Sequence, residues 1–142
     1  GAVYNREELK EIGEVCVKHN ILIISDEIYE KLVYDGTEHI SIASLDEKIA
    51  QITVVINGVS KAYAMTGWRL GYAAGPAEII KRAVRIQAHT TSCVNSITQK
   101  AVVTALSDND GSLETMRAEF EKRRNFLVNE LNNIDHIRCN TP

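Results

Sequence analysis

The sequence has few cysteines, no excess of positive charge and no long apolar run. Cys16, Cys93 and Cys139 include no CxxC pair, so we expect neither a disulfide framework nor a zinc ribbon, and a reducing, cytoplasmic setting fits. Lysine and arginine number 16 against 19 aspartates and glutamates, for a net charge of −3, whereas nucleic-acid binding calls for a basic surface. The apolar runs are also too short for a membrane span. We therefore expect neither nucleic acid nor a membrane as a partner.

The length and composition are those of one globular domain. The chain has 142 residues, of which 44% are hydrophobic and 25% charged, so a wholly disordered or fibrous protein is excluded. It starts at Gly1 without a methionine and stops at Pro142, directly after a predicted helix and the start of a strand. We expect it to be a piece of a longer protein.

The hydrophobic pattern predicts strands separated by helices. Asn5 starts a capping-box pattern, and apolar residues at helical spacing predict a helix over residues 6–19. The apolar runs at 21–25 and 52–57 are typical of strands buried on both faces, and a looser alternation predicts a third strand over 68–74. Further predicted elements are a helix beginning at 75–78, a helix over 96–106, a loop at 107–111 and a long helix after it. This order indicates an α/β fold with a mainly parallel, helix-flanked sheet and a long C-terminal helix.

Two clusters favour structural interpretations. Residues 122–124, Lys-Arg-Arg, are interpreted as a solvated helix face, because acidic residues surround them. Cys16 and His19 can share a helix face, but no second pair of ligands lies nearby. We therefore predict no metal site.

Three charged side chains follow the predicted strands. Asp26 comes directly after the first strand, Lys61 stands a few residues beyond the second, and Arg69 follows eight residues later. Each alone has an ordinary structural explanation, as a helix cap or a surface charge. Ligands of α/β proteins bind at the carboxyl ends of the strands, however. We predict that these residues meet at one sheet edge and suit a ligand carrying a cation, a carbonyl and a phosphate.

Residues 58–71, GVSKAYAMTGWRLG, resemble the pyridoxal-phosphate attachment signature of class I aminotransferases position for position. Residues 25–29, SDEIY, are similar to the segment of the same family that contacts the cofactor ring. Residues 87–92, QAHTTS, resemble the bacterial aspartate aminotransferase branch. The motifs occur in the family's order and at a family-like separation, and the resemblance extends over essentially the whole chain.

The resemblance implies a role for each matching residue. Lys61 would bind the cofactor aldehyde as an aldimine and later move the substrate α-proton. Asp26 would keep the pyridine nitrogen protonated, and Tyr29 would donate its hydroxyl to the phenolate oxygen of the ring. Arg69 would bind the phosphate as a planar donor group, and Ser60 would add a hydrogen bond to it. The cofactor implied is pyridoxal 5'-phosphate.

The resemblance also implies what kind of protein contains this chain. Residues 1–142 would be the later part of the cofactor-binding large domain and would end where a small domain starts. The activity implied is amino-group transfer between an amino acid, with aspartate as a candidate, and a 2-oxo acid, in a cytoplasmic homodimer. We expect the isolated fragment to self-associate and to be inactive or nearly so. A lyase or synthase of the same fold, or a non-catalytic assembly module, remains an alternative.

Overall fold

A computed structural model describes residues 1–108 and 110–142; the predicted loop at 107–111 includes Asn109, which lies outside the described residues. Along the chain the helices and strands are α1 (Arg6–His19), β1 (Ile23–Asp26), α2 (Glu47–Ala50), β2 (Thr53–Gly58), β3 (Gly71–Ala74), α3 (Ala77–Thr90), α4 (Ser96–Ser107) and α5 (Ser112–Asn132). Short 3-10 helices lie at Ile42–Ser44 and Thr66–Trp68. The α/β class predicted from the sequence is confirmed.

Helix α1 begins and ends as its sequence predicts. The Asn5 side chain accepts a hydrogen bond from the Glu8 backbone N–H at 2.9 Å, and the Glu8 carboxylate accepts one from the Asn5 N–H at 2.8 Å. At the other end Asn20 adopts a left-handed conformation, φ 53°, and its N–H caps the carbonyls of the last turn. The chain can then turn directly into β1.

The three strands form one sheet in the order β1-β2-β3. β1 and β2 are parallel, with Asp26 opposite Ile56, whereas β2 and β3 are antiparallel, with Gly58 opposite Gly71. The third strand is shorter than its predicted span of 68–74, because the chain forms a 3-10 helix at Thr66–Trp68 before it pairs. The carboxyl ends of β1 and β2 and the amino end of β3 therefore lie at the same edge.

Most of the core lies between the sheet and the short elements of the first half of the chain, and α4 contributes one buried hydrophobic side chain. Its buried hydrophobic side chains are Ile42, Ile49, Val54, Val59, Ala62 and Val102. Large apolar side chains on α3, α4 and α5 are exposed, among them Ile86, Ile97 and Phe126. Within the described ranges, each helix is too short or too polar to cross a membrane.

Candidate functional site

The residues predicted to form the site flank the edge where the three strands meet. Asp26 is the last residue of β1, Lys61 follows the end of β2 by three residues, and Arg69 precedes β3 by two. An open cavity of about 1390 Å³ lies along this edge. Four of the five predicted residues line it: Asp26, Tyr29, Ser60 and Lys61. Arg69 lines a neighbouring cavity, and Ala64 lines both.

Asp26 and Tyr29 belong to a tight corner at the end of β1. The Asp26 carboxylate is on the exposed face of the strand, and its Oδ1 accepts a hydrogen bond from the Ile28 N–H at 3.3 Å. The backbone N–H of Glu27 donates to the Ile56 carbonyl at 2.8 Å, which keeps the corner attached to β2. The Asp26 carboxylate thus faces the cavity from a backbone that β2 holds in place.

Lys61 lies above the Tyr29 ring. Its Nζ is 5.4 Å from the ring centroid, a cation–π distance. Val59, two residues before Lys61, is fully buried and anchors the chain at that point. After it, Ala64 adopts a left-handed conformation, φ 52°, that only the surrounding structure can maintain. The lysine is therefore presented by a short turn fixed on both sides.

Arg69 is held by the same turn. Its own backbone is left-handed, φ 55°, and its Nη1 donates to the Thr66 carbonyl oxygen at 3.1 Å. The Thr66 hydroxyl in turn donates to the Ser60 carbonyl oxygen at 2.9 Å. Thr66 was not among the residues predicted for the site. Its position inside the motif at 58–71, between Lys61 and Arg69, was the available signal for it in the sequence.

A buried acidic network lies behind this corner, and the sequence analysis missed it. Glu27 is 6% exposed. Its Oε1 accepts hydrogen bonds from the hydroxyls of Ser25 at 2.9 Å and Ser41 at 2.8 Å, and its Oε2 lies 3.2 Å from His39 Nε2. The period of two along β1 was the available signal, because it places Glu27 on the face opposite Asp26.

The same cluster has the ligand types of a cation site. One ligand atom each from Glu27, Glu30 and His39 lies within 4.8 Å of the others. The hydrogen bonds just described already occupy both carboxylate oxygens of Glu27. They account for the position of the Glu27 carboxylate in this cluster.

The surroundings of Tyr72 on β3 change the pKa of its hydroxyl. Tyr72 pairs with Asn57 on β2. Partial desolvation raises the pKa of its hydroxyl above the ordinary value of 10.0, and the negative charge of Glu30 raises it further. Tyr72 is therefore neutral near pH 7.

A second charged network connects the loop after Tyr29 to α5. Arg124 donates to both carboxylate oxygens of Asp35, at 2.6 and 2.8 Å, and its guanidinium lies 5.0 Å from the centre of the Tyr34 ring. The Asp35 N–H donates to Glu121 at 2.8 Å. The hydrogen bond from Arg124 lowers the pKa of the Asp35 carboxyl below its ordinary value. The interpretation of residues 122–124 as a solvated face is wrong for Arg124, which is 8% exposed.

Comparison with known proteins gives a consistent result over the whole chain. The family described as aminotransferase class I and II matches residues 1–142. An aspartate aminotransferase of Geobacillus stearothermophilus is 49% identical over 142 residues, which are all of this chain and 36% of that protein. The chain thus spans about a third of the length of the curated relatives it matches.

Solved structures agree with the sequence comparison. The crystal structure of the aspartate aminotransferase from Rhizobium meliloti superimposes with a TM-score of 0.96 at 42% identity, over 99% of this chain and 36% of that one. The aromatic aminotransferase from Pyrococcus horikoshii gives a TM-score of 0.89 at 42% identity, over 92% and 35%. On both sequence and structure, this chain belongs to the class I and II aminotransferase family.

Proposed function

We propose that this chain carries the cofactor site of a pyridoxal-phosphate-dependent aminotransferase, which moves an amino group between an amino acid and a 2-oxo acid. The observation that carries the proposal is the meeting of three groups at one cavity. The Asp26 carboxylate, the Tyr29 phenol and the Lys61 amine all line it, and Lys61 Nζ lies 5.4 Å from the Tyr29 ring centroid. Membership of the aminotransferase family supports the same function.

The donor set fits the cofactor group by group. An amine can condense with the aldehyde, a carboxylate can pair with the pyridinium nitrogen, and a phenol can donate to the phenolate oxygen. Arg69, at the neighbouring cavity, and Ser60 supply donors for a phosphate. When bound, pyridoxal phosphate supplies a ring that accepts electrons from the substrate carbon.

Each residue then has a definite task. Asp26 would hold a proton on the ring nitrogen through a charge-assisted hydrogen bond, which contributes about 1.5–3 kcal/mol. Lys61 would hold the cofactor at Nζ and, once released by the amino acid, take up and return a proton there. The buried Val59 and the turn at Ala64 restrict where that nitrogen can reach.

Aspartate is the first candidate for the amino donor, because an aspartate aminotransferase is 49% identical to this chain. The similarity to a structure of an aromatic aminotransferase keeps a second class of amino acid open. In the proposal, residues 1–142 form the later part of the large domain and end where the small domain starts. The protein would be a cytoplasmic homodimer, in which exposed apolar side chains such as Ile86 and Ile97 are covered.

The test is whether Lys61 carries the cofactor. The purified protein is mixed with pyridoxal phosphate, reduced with borohydride, digested and analysed by mass spectrometry. We expect the reduced adduct on Lys61, and its loss in Lys61→Ala. Lys48→Ala, at an exposed position on α2, is the matched control and should keep the adduct. An adduct that survives unchanged in Lys61→Ala would contradict the proposal.

The type of reaction is tested separately. Because we expect the isolated fragment to be inactive or nearly so, the longer protein that contains it is incubated with aspartate and a 2-oxo acid acceptor, and the products are followed by chromatography. Transfer predicts a new amino acid that appears only when the acceptor is present. Release of ammonia without an acceptor would indicate a lyase, and binding of the cofactor without any turnover would indicate an assembly module.

A further inference from the structure

Thr66 contacts both ends of the turn that carries the two basic residues of the proposed site. Its hydroxyl donates to the Ser60 carbonyl oxygen at 2.9 Å, and its own carbonyl oxygen accepts from Arg69 Nη1 at 3.1 Å. We propose that Thr66 is a positioning residue, which sets the amine of Lys61 and the guanidinium of Arg69 in a fixed relation. This inference rests on the proposed function.

The bond to Ser60 acts on Lys61 through the backbone. The Ser60 carbonyl belongs to the peptide unit that joins Ser60 to Lys61, and a peptide unit is planar. Holding its oxygen therefore restricts the direction in which the lysine side chain leaves the backbone. Two backbone bonds lie close to this point, from the Tyr63 N–H to the Val59 carbonyl and from the Ala64 N–H to the Lys61 carbonyl, and both are longer, at 3.2 and 3.3 Å. The bond from the Thr66 hydroxyl is thus the shortest of these three.

The bond to Arg69 acts on the side chain directly. Arg69 has a left-handed backbone, which a non-glycine residue keeps only where its surroundings favour it. Its guanidinium donates to the backbone carbonyl oxygen of Thr66, while the Thr66 hydroxyl donates to Ser60, so one residue is bonded to both ends of the turn, through its backbone and through its side chain. A phosphate bound by Arg69 and an aldehyde bound by Lys61 would then be held at a set separation.

Threonine suits this task for two reasons. Branching at Cβ restricts its χ1 rotamers, so little freedom is lost when the hydroxyl is aimed at a carbonyl. Valine has nearly the same shape without the hydroxyl, and serine keeps the hydroxyl without the methyl group. These two substitutions separate the hydrogen bond from the shape of the side chain.

The experiment compares Thr66→Val, Thr66→Ala and Thr66→Ser with Thr115→Val. Thr115 is the matched control, because its hydroxyl also donates to a backbone carbonyl, that of Gly111 at 3.0 Å, but on α5. Two probes are titrated into each purified protein, pyridoxal phosphate and pyridoxal, which lacks the phosphate. Hydrogen exchange of the backbone N–H groups of Tyr63 and Ala64 is measured without either probe.

We expect Thr66→Val and Thr66→Ala to bind pyridoxal phosphate about two- to tenfold more weakly, the effect of one lost hydrogen bond. The loss should extend to pyridoxal, because the hydroxyl acts on Lys61 through the Ser60 carbonyl, whereas the Thr66 carbonyl that accepts from Arg69 is present in every variant. Exchange at Tyr63 and Ala64 should rise in the same two variants. Thr66→Ser and Thr115→Val should stay within about twofold of the unsubstituted protein for both probes.

Failure of this inference differs from failure of the proposed function. If the unsubstituted protein forms no borohydride-stable adduct on Lys61, the proposed function is wrong and the role of Thr66 falls with it. If that adduct forms while Thr66→Val and Thr66→Ala match the unsubstituted protein in affinity and exchange, only the role of Thr66 is overturned. A Thr66→Ser variant as weak as Thr66→Val would also overturn it, because the hydroxyl would then not be the cause.

Discussion

Removing the buried Glu27 carboxylate should destabilise the corner that presents Asp26. In Glu27→Ala, the hydroxyls of Ser25 and Ser41 and the ring of His39 lose their shared acceptor. Glu27→Gln keeps an oxygen for the two hydroxyls and changes only the group that faces His39. The two variants therefore separate loss of the whole network from loss of its charge.

The size of the effect follows from those contacts. Leaving a buried polar group without its partner costs about 1–3 kcal/mol, and three groups share the Glu27 side chain as acceptor. Ser25, His39 and Ser41 are only partly buried and can turn toward water, which limits the sum. We therefore predict that Glu27→Ala lowers the free energy of unfolding by about 3 kcal/mol. Glu27→Gln should lose about 1 kcal/mol, since the two serine bonds survive.

Urea unfolding followed by circular dichroism measures both values. Glu38→Ala, at an exposed position next to His39, is the matched control and should change stability by less than about 0.5 kcal/mol. A Glu27→Ala variant as stable as this control would refute the reasoning. So would a Glu27→Gln variant that is as damaged as Glu27→Ala, because the serine hydrogen bonds would then contribute nothing.

Two further predictions concern acid stability and the pairing of β2 with β3. The hydrogen bond from Arg124 lowers the pKa of the Asp35 carboxyl. The stability that this ion pair contributes is therefore present above the ordinary pKa of 3.8 and is lost as the pH falls through the lowered pKa. Asp35→Asn should therefore melt at a lower temperature than the unsubstituted protein at pH 7. A difference in melting temperature that stays the same in strong acid would contradict this. Gly58→Ala would place a Cβ 2.9 Å from the Leu70 carbonyl oxygen, so it should cost about 1–3 kcal/mol and disturb cofactor binding at the turn that follows. Gly67→Ala, where nothing lies within 4 Å, is its control in the same unfolding and titration measurements.

Local sequence patterns were sufficient to predict the helices and strands that depend mainly on neighbouring residues. The capping box at Asn5 and the helical spacing after it gave α1 its correct bounds. The apolar runs located β1 and β2, and their parallel pairing follows from the helix and loops between them. The expectation that both strands are buried on both faces is wrong for β1, where Ile24 is 70% exposed. Asp26 and Lys61 could be placed near one edge for the same reason.

Residues whose role depends on distant partners escaped prediction. Arg124 looked like part of a charged surface, because its partner Asp35 lies 89 residues away in sequence. Glu27 is buried by Ser41 and His39, which follow in an irregular loop without a periodic pattern. The start of β3 was misplaced because the left-handed Arg69 ends a 3-10 turn that hydrophobic alternation does not reveal.

The alternation along β1 has a consequence for how this strand can evolve. Asp26 is exposed beside the cavity and Glu27 is buried behind it, so two adjacent carboxylates serve opposite faces of one strand. Loss or gain of a single residue upstream would exchange their faces, since successive side chains of a strand alternate. The longer glutamate would then lie on the face of the cavity, the shorter aspartate would lie on the buried face toward Ser41, and Ser25 would leave that face as well. A one-residue insertion or deletion in β1 would therefore disrupt the cavity face and the buried face together, whereas a substitution at one position changes one face alone.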